Sequence, residues 1–375
     1  MKIAIFCDSF FPTIDGVSLS IKNNTELFSK QTKLFFFIPS GSNKINNHDY
    51  IFLKSREVKN YKEYKMRIPS FFKVYSQLKK IKPDLIHVHS AFGIGWEGVL
   101  CARILKIPII STFHTVIPEV AKEFSFLNLE KTEIFERLAW KYVKLFFNLS
   151  NEIITPSEFM KKELMQHGIK KPITVISNGI NIKKFPMLSR KNNKTISFIS
   201  IGRLVESKNV IQILKSFNIA SEKNPNLRLI ILGKGPEKDN LKRFVEKNNL
   251  QKKVKMIGFI DNEKIVGFLK KSDVFITASS IETEGISTLE AMSTGLPIIG
   301  ANARATPNLI KNSGIIVPLN NPEIMAKSIL ELAENRLLRK KLGISAHEEA
   351  IKYNINKTSK TIYNFYKNYL KNNIK

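Results

Sequence analysis

Two glutamates eight residues apart, Glu282 and Glu290, fall in the stretch Ser280-Ile281-Glu282-Thr283-Glu284-Gly285-Ile286-Ser287-Thr288-Leu289-Glu290, which follows an apolar run at 274–277. A carboxylate in a strand-end loop accepts hydrogen bonds from sugar hydroxyls, and one about two turns further on can hold a ribose diol. The competing reading is that Glu290 caps or solubilises a helix while Glu282 and Glu284 favour its positive amino end. Three acids gathered in so basic a chain weigh against it. A second segment, Ile201-Gly202-Arg203-Leu204-Val205-Glu206-Ser207-Lys208, runs from an apolar stretch into a glycine and then two cations. Arg203 and Lys208 at that junction could neutralise a diphosphate; in a chain this rich in Lys and Arg, chance placement is the alternative.

Near the amino end, Gly16 follows the run 2–6 through Asp8-Ser9-Phe10-Phe11-Pro12 and precedes an expected helix. A glycine there lets backbone N–H groups approach a phosphate at a helix amino terminus, or simply makes a turn. His87 and His89 alternate on one expected strand and so share a face, which permits a metal pair. No third ligand stands at a recognisable spacing, and no metal site is expected. His114, in Ser111-Thr112-Phe113-His114-Thr115, sits where a strand ends and is better placed to meet a substrate hydroxyl or phosphate.

Short β-branched or aromatic runs alternate with amphipathic segments along nearly the whole chain, the pattern of parallel sheets covered by helices on both faces. Strands are expected at 2–6, 33–38, 51–53, 85–89, 109–112, 152–155 and 173–176, then at 196–201, 228–232, 254–257, 274–277, 297–299 and 315–317. Helical core stripes are legible at Val210, Ile213, Leu214 and Phe217, and at Ile324, Ile329, Leu330 and Leu332. The class is α/β, with two doubly wound Rossmann-like domains. The polar stretch 183–194 reads as the linker, giving domains 1–185 and 186–355 and a ligand cleft between them at the carboxyl ends of the strands.

The chain has 375 residues, 43% apolar and 25% charged, within the range of folded multi-domain proteins. No apolar run approaches the roughly 20 residues that span a bilayer, and the amino terminus lacks the apolar core of a signal peptide, so a cytoplasmic protein is expected. Cys7 and Cys101 are isolated in sequence and read as small buried hydrophobes. The net charge of +28 points to polyanions as partners. The abundance of Lys, Asn and Ile also suits an AT-rich genome. A nucleic-acid-binding protein would explain the charge but not Glu282, Gly285 and Glu290 together, and no binding motif is present.

Taken in order, the Gly16 loop, the His114 loop, Ile176-Ser177-Asn178-Gly179-Ile180-Asn181, Gly202-Arg203-Leu204 with Lys208, Leu232-Gly233-Lys234-Gly235-Pro236 and the Glu282–Glu290 pair closely resemble glycosyltransferase family 4. The resemblance covers nearly the whole chain and implies the GT-B fold, two Rossmann-like domains facing a cleft, with a last helix (expected within 353–370; domain segment 356–375) crossing back to the first domain. It implies that Gly16 lies beside the donor diphosphate and that Arg203 and Lys208 neutralise it as the nucleotide leaves. Glu290 would bind the ribose and Glu282 the transferred sugar. Main-chain groups around Gly202, Gly285 and Ile286 would complete the donor site, and His114 would lie near sugar and acceptor. The implied reaction is a retaining transfer needing no metal and no cofactor beyond the nucleotide sugar.

The form Glu282-Thr283-Glu284-Gly285, with Asp8-Ser9-Phe10-Phe11-Pro12 and Phe113-His114-Thr115, is most similar to diacylglycerol glycosyltransferases that make membrane glycolipids. The expected donor is UDP-glucose or UDP-galactose, the acceptor diacylglycerol, and the location peripheral, on the inner face of the cell membrane. In 131–147, Ile134, Leu138, Tyr142, Leu145 and Phe146 recur near helical period with Arg137, Lys141 and Lys144 beside Trp140, and Lys62, Lys65, Arg67 and Lys73 lie near Phe71, Phe72 and Tyr75. Both segments are expected to touch an anionic membrane surface. The alternatives are that each stripe is a core face, and that the acceptor is a polysaccharide or lipopolysaccharide intermediate with a GDP-mannose donor.

Overall fold

The computed structural model describes residues 1–13, 15–26, 28, 32–45, 48–58, 61–119, 133–189 and 194–373, with the backbone alone for 26, 57–58 and 61–67. The chain divides into two compact units, Met1–Gly179 with Ile355–Lys375, and Ile180–Asn354. The division at Gly179 and Ile180 precedes the polar stretch 183–194, because Ile180 and Phe185 are already buried in the core of the second unit.

In the first unit the strands are β1 (Lys2–Phe6), β2 (Lys33–Pro39), β3 (Asp49–Leu53), β4 (Ser55–Val58), β5 (Tyr61–Arg67), β6 (Leu85–Val88), β7 (Ile109–Thr112), β8 (Glu152–Thr155) and β9 (Ile173–Val175). Seven of them form one parallel sheet in the order β3-β2-β1-β6-β7-β8-β9. β2 reads as a continuous apolar run because both of its faces are covered. On one face Phe6, Phe37, Ile86 and Val88 pack under the helices Phe71–Ile81, Gly93–Leu105 and Glu133–Asn148. On the other, Ile3, Ile5 and Cys7 meet Ile21 of the helix Gly16–Glu26 and Ile362 and Tyr366 of the last helix, Ile355–Asn373. β4 and β5 form a separate antiparallel hairpin, outside the expected strands. Its second strand, Tyr-Lys-Glu-Tyr-Lys-Met-Arg, carries too many charges to register as a strand.

The second unit contains β10 (Ile196–Ile201), β11 (Leu227–Leu232), β12 (Val254–Gly258), β13 (Val274–Thr277), β14 (Ile298–Ala301) and β15 (Gly314–Val317). They form a parallel sheet in the order β12-β11-β10-β13-β14-β15. Val210, Ile213, Leu214 and Phe217 of the helix Val210–Lys223 are buried as the period requires. Ile324 is the exception among the expected core positions. It is exposed in the first turn of the helix Pro322–Glu334, where the Asn321 side chain accepts the Ile324 N–H. In both sheets the strand order reverses once, between β1 and β6 and between β10 and β13. Such switch points open a crevice at the carboxyl ends of the strands.

Candidate functional site

In the second unit a recess lies at the β10/β13 switch point, lined by Gly202, Arg203, Leu204, Lys208, Thr277 and Glu282 among others. Two cations and a carboxylate therefore share the crevice. Lys208 Nζ donates to Glu282 Oε1 at 2.5 Å, and both side chains are mostly buried. Burial alone would push the Glu282 carboxyl up, yet the charge and hydrogen bond of Lys208, a hydrogen bond from Ser279 and the charge of Arg203 hold it below its ordinary value. It is a carboxylate at neutral pH. Ser280 ties this loop to the Arg203–Lys208 segment: its N–H and its hydroxyl both donate to the Ser207 carbonyl, at 2.9 and 3.1 Å.

Three strand-end loops are knitted together beside the recess. The N–H of Gly202 donates to Leu232 O at 3.0 Å, that of Leu204 to Lys234 O at 2.8 Å and that of Gly233 to Gly258 O at 2.8 Å. A Cβ on Gly233 would stand 1.8 Å from the Gly202 carbonyl oxygen, and one on Gly235 2.2 Å from that of Leu204. The glycines allow this close approach of backbones. Gly233→Ala is expected to displace Gly202 and Arg203 and to cost about 1–3 kcal/mol. Thermal unfolding with and without UDP checks this: the variant should melt lower and gain less from the nucleotide.

Gly285 takes a left-handed conformation, φ +95°, and turns the loop into the helix Ile286–Ser293. Glu290 lies in the second turn of that helix and is buried. Burial pushes its carboxyl up to about 7, partly offset by the charge of Lys184. A diol is best held by the ionised form, which accepts two hydrogen bonds. On the expectation that Glu290 binds the nucleotide ribose, affinity for UDP should rise with pH through about 7, and Glu290→Gln should flatten that profile in calorimetric titrations with UDP. Stability carries the opposite sign. Between the ordinary carboxylate range and the raised value the folded state holds a proton that the unfolded state has lost, so the contribution of this group falls as pH rises.

In the first unit Gly16 is exposed and opens its helix at the carboxyl edge of the sheet. Asp15 caps that helix: Ser18 N–H donates to Asp15 Oδ1 at 2.8 Å, and Asp15 N–H to Ser18 Oγ at 3.0 Å. Asp8, from the same loop, is satisfied internally, accepting from Ser90 Oγ at 2.6 Å and from the N–H groups of Ile94 and Gly95 at 2.8 and 3.2 Å. His114 lies just beyond β7 with its Nε2 3.0 Å from His89 Nδ1 and a hydrogen bond to Asn178. Burial lowers its pKa to about 4, so it is neutral at pH 7. His87 has both ring nitrogens committed, Nδ1 to Tyr366 OH at 2.5 Å and Nε2 to Thr112 Oγ1 at 2.6 Å. That leaves His87 no lone pair for a metal.

The residues singled out as membrane contacts separate. Arg137, Lys141 and Lys144 are exposed on the helix Glu133–Asn148. Trp140 is not a surface residue: it is buried, with its ring stacked on His167 at 3.6 Å and 5°. The helix is apolar on two faces, and Trp140 belongs to the one that meets the core with Val143, Phe146 and Phe147. Lys62, Lys65 and Arg67 lie on β5, and their side chains fall outside the described residues.

Two family models meet near the junction of the units: Glycosyltransferase Family 4 matches residues 14–184, and Glycosyl transferases group 1 matches 182–349. The chain is a glycosyltransferase, a family 4 domain followed by a group 1 domain. The glycosyltransferase is similar to the alpha-monoglucosyldiacylglycerol synthase of Streptococcus pneumoniae, 26% identical over 88% of this chain and 78% of that protein. It is also similar to the synthase of the same name from Acholeplasma laidlawii, 23% identical over 89% of each chain. A GDP-mannose-dependent alpha-mannosyltransferase of Corynebacterium glutamicum matches at 24% over 84% of this chain and 75% of its own. Among solved structures, Anabaena HepE in complex with UDP-glucose superposes with a TM-score of 0.79 at 15% identity, over 98% of this chain and 100% of that one. That likeness gives the fold of the glycosyltransferase as GT-B.

Ser279 and Thr277, at the recess of the second unit, and Asn178, beside His114 in the first, carry no functional signal of their own in the sequence. Asn178 stood within a recognisable segment, but nothing in its neighbours tied it to His114. Ser279 and Thr277 flank the end of β13 and carry no spacing signal of their own.

Proposed function

We propose that the glycosyltransferase moves glucose or galactose from a UDP-sugar to diacylglycerol, with retention of configuration and without a metal ion, at the inner face of the cell membrane. The observation that carries the donor half is the recess that gathers Arg203, Lys208 and Glu282 at the β10/β13 switch point. In this reading Arg203 and Lys208 stabilise the negative charge that grows on the β-phosphate as its bond to the anomeric carbon breaks. The acceptor hydroxyl bonds to that carbon on the same face, and its proton passes to the departing diphosphate. Glu282 holds the sugar, Glu290 the ribose, and backbone groups at Gly16, Gly202, Gly285 and Ile286 the remaining donor atoms. Neutral His114, fixed by His89, faces the sugar and acceptor.

Support for the acceptor half comes from the two glycolipid synthases that match along most of this chain. The mannosyltransferase match favours a second reading, a GDP-mannose donor. Incubation of purified protein with UDP-glucose, UDP-galactose or GDP-mannose and vesicles containing diacylglycerol tests both. An α-glycosyl lipid formed from one UDP-sugar is the expected product. A mannosyl product, or slow donor hydrolysis with no labelled lipid, would overturn the assignment of donor or acceptor respectively.

A further inference from the structure

On the helix Glu133–Asn148 the residues Ile134, Leu138, Lys141 and Leu145 are spaced i, i+4, i+7 and i+11 and so form one stripe, opposite the buried Val143. Every one of them is exposed, Ile134 at 69%. Arg137 and Lys144 flank the stripe on one side. The adjoining helix Gly93–Leu105, which contacts this one through Trp96 against Tyr142 and Phe146, exposes Leu100 and Ile104 beside Arg103. Next to it, the helix Phe71–Ile81 exposes Phe72 at 85%. Single exposed apolar side chains are ordinary, but here three neighbouring helices on one face of one sheet carry them together, interleaved with cations.

Direction adds to the argument. Helices joining parallel strands run antiparallel to them, so the amino ends of these three helices lie at the carboxyl edge of the sheet. Phe72, Phe92 and Ile134 stand at those amino ends. The same edge of the same unit carries Gly16 and His114.

We infer that this three-helix face is the surface by which the first unit docks on an anionic bilayer, its apolar side chains entering the headgroup boundary and its cations meeting lipid phosphates. The inference rests on the membrane reading above and names the surface that serves it. Charge complementarity selects the occupant: Arg103, Lys106, Lys141 and Lys144 interleave with the apolar residues, Arg137 being paired with Glu133 at 3.2 Å, and each cation near an anionic leaflet adds about fivefold in affinity. A lipid acceptor held at this face would present its headgroup at the edge where His114 lies.

Vesicle co-sedimentation tests the inference, using phosphatidylcholine alone or with 30 mol% phosphatidylglycerol (about 30%, enough for a strong surface potential). The parent should bind only the anionic vesicles. Leu138→Glu with Leu145→Glu, both at exposed positions, should lower partitioning at least about tenfold while leaving circular dichroism and UDP binding unchanged. Leu337→Glu, at an 80% exposed site on the second unit, should bind vesicles as the parent does. Parent-like binding by the double variant would overturn this face and leave the membrane reading standing. No vesicle binding by the parent would overturn both. A double variant that instead changes the oligomeric state of a protein that ignores vesicles would give the face to a second copy of the chain, and the inference would fall.

Discussion

Glu282→Gln is expected to slow sugar transfer by about 10²- to 10³-fold while preserving, or tightening, the binding of a nucleoside diphosphate. Lys208 is paired with Glu282 at 2.5 Å. A donor that places its diphosphate against Lys208 must share that cation with Glu282. Replacing the carboxylate by an amide of the same shape frees the ammonium for phosphate but removes the charged acceptor proposed to hold the sugar. UDP, which has no sugar, should then bind at least as well as before, whereas turnover of the whole donor collapses. The unliganded variant should also be less stable, since a mostly buried lysine loses its charged partner, and UDP should restore more of its melting temperature than it gives the parent. Single-turnover kinetics and UDP titrations read the two effects separately. Equal losses of UDP binding and of transfer would sink the division of labour.

A comparable effect, on stability, is expected at Tyr366. This side chain from the last helix is buried in the first unit, where its hydroxyl meets His87 Nδ1 at 2.5 Å and its ring lies edge-on to Phe28. Tyr366→Ala removes a whole buried aromatic and should cost about 3–5 kcal/mol. Tyr366→Phe removes only the hydroxyl and leaves a buried ring nitrogen without its partner, a loss of about 1–3 kcal/mol. In calorimetry the transition belonging to the first unit should fall by roughly 10 °C in the alanine variant, with the second unit unmoved. His87 sets the pH dependence. Burial holds its pKa at about 3, so it stays neutral when folded but gains a proton in the unfolded chain below the ordinary histidine value of 6.5. The stability of this unit is therefore lost as pH falls from 6.5 toward about 3, and His89 and His114, also depressed by burial, add to the same trend. A first transition that does not move in Tyr366→Ala would show that the last helix does not hold that unit together.

Strands such as β2 and β14 were legible because a strand covered on both faces must be apolar throughout, a pattern few other structures produce. The β4–β5 hairpin escaped because its residues are charged rather than apolar. On the helix Glu133–Asn148 the period was visible and the phase was not: Trp140 and Phe146 turn inward while Ile134, Leu138 and Leu145 turn outward, and a helix apolar on both sides does not say which side is the core. At the site, the individual cations and carboxylates were legible from their place after strands. Their pairing was not. Lys208 and Glu282 are 74 residues apart, and only the adjacency of β10 and β13 brings them together. The same holds for His114, whose partners are His89, just beyond β6, and Asn178, where the chain leaves the first unit.

The return of the chain to its first unit also makes that unit depend on residues far from it in sequence. Residues 180–354 form their unit from one contiguous stretch. The first unit needs Ile355–Asn373 as well, because Tyr366 supplies the partner of His87 Nδ1, and Ile362 and Tyr366 cover part of the Ile3, Ile5 and Cys7 face. Loss of the last helix would therefore spare the residues of the second unit and bare apolar sheet in the first, the kind of surface through which partly folded chains aggregate.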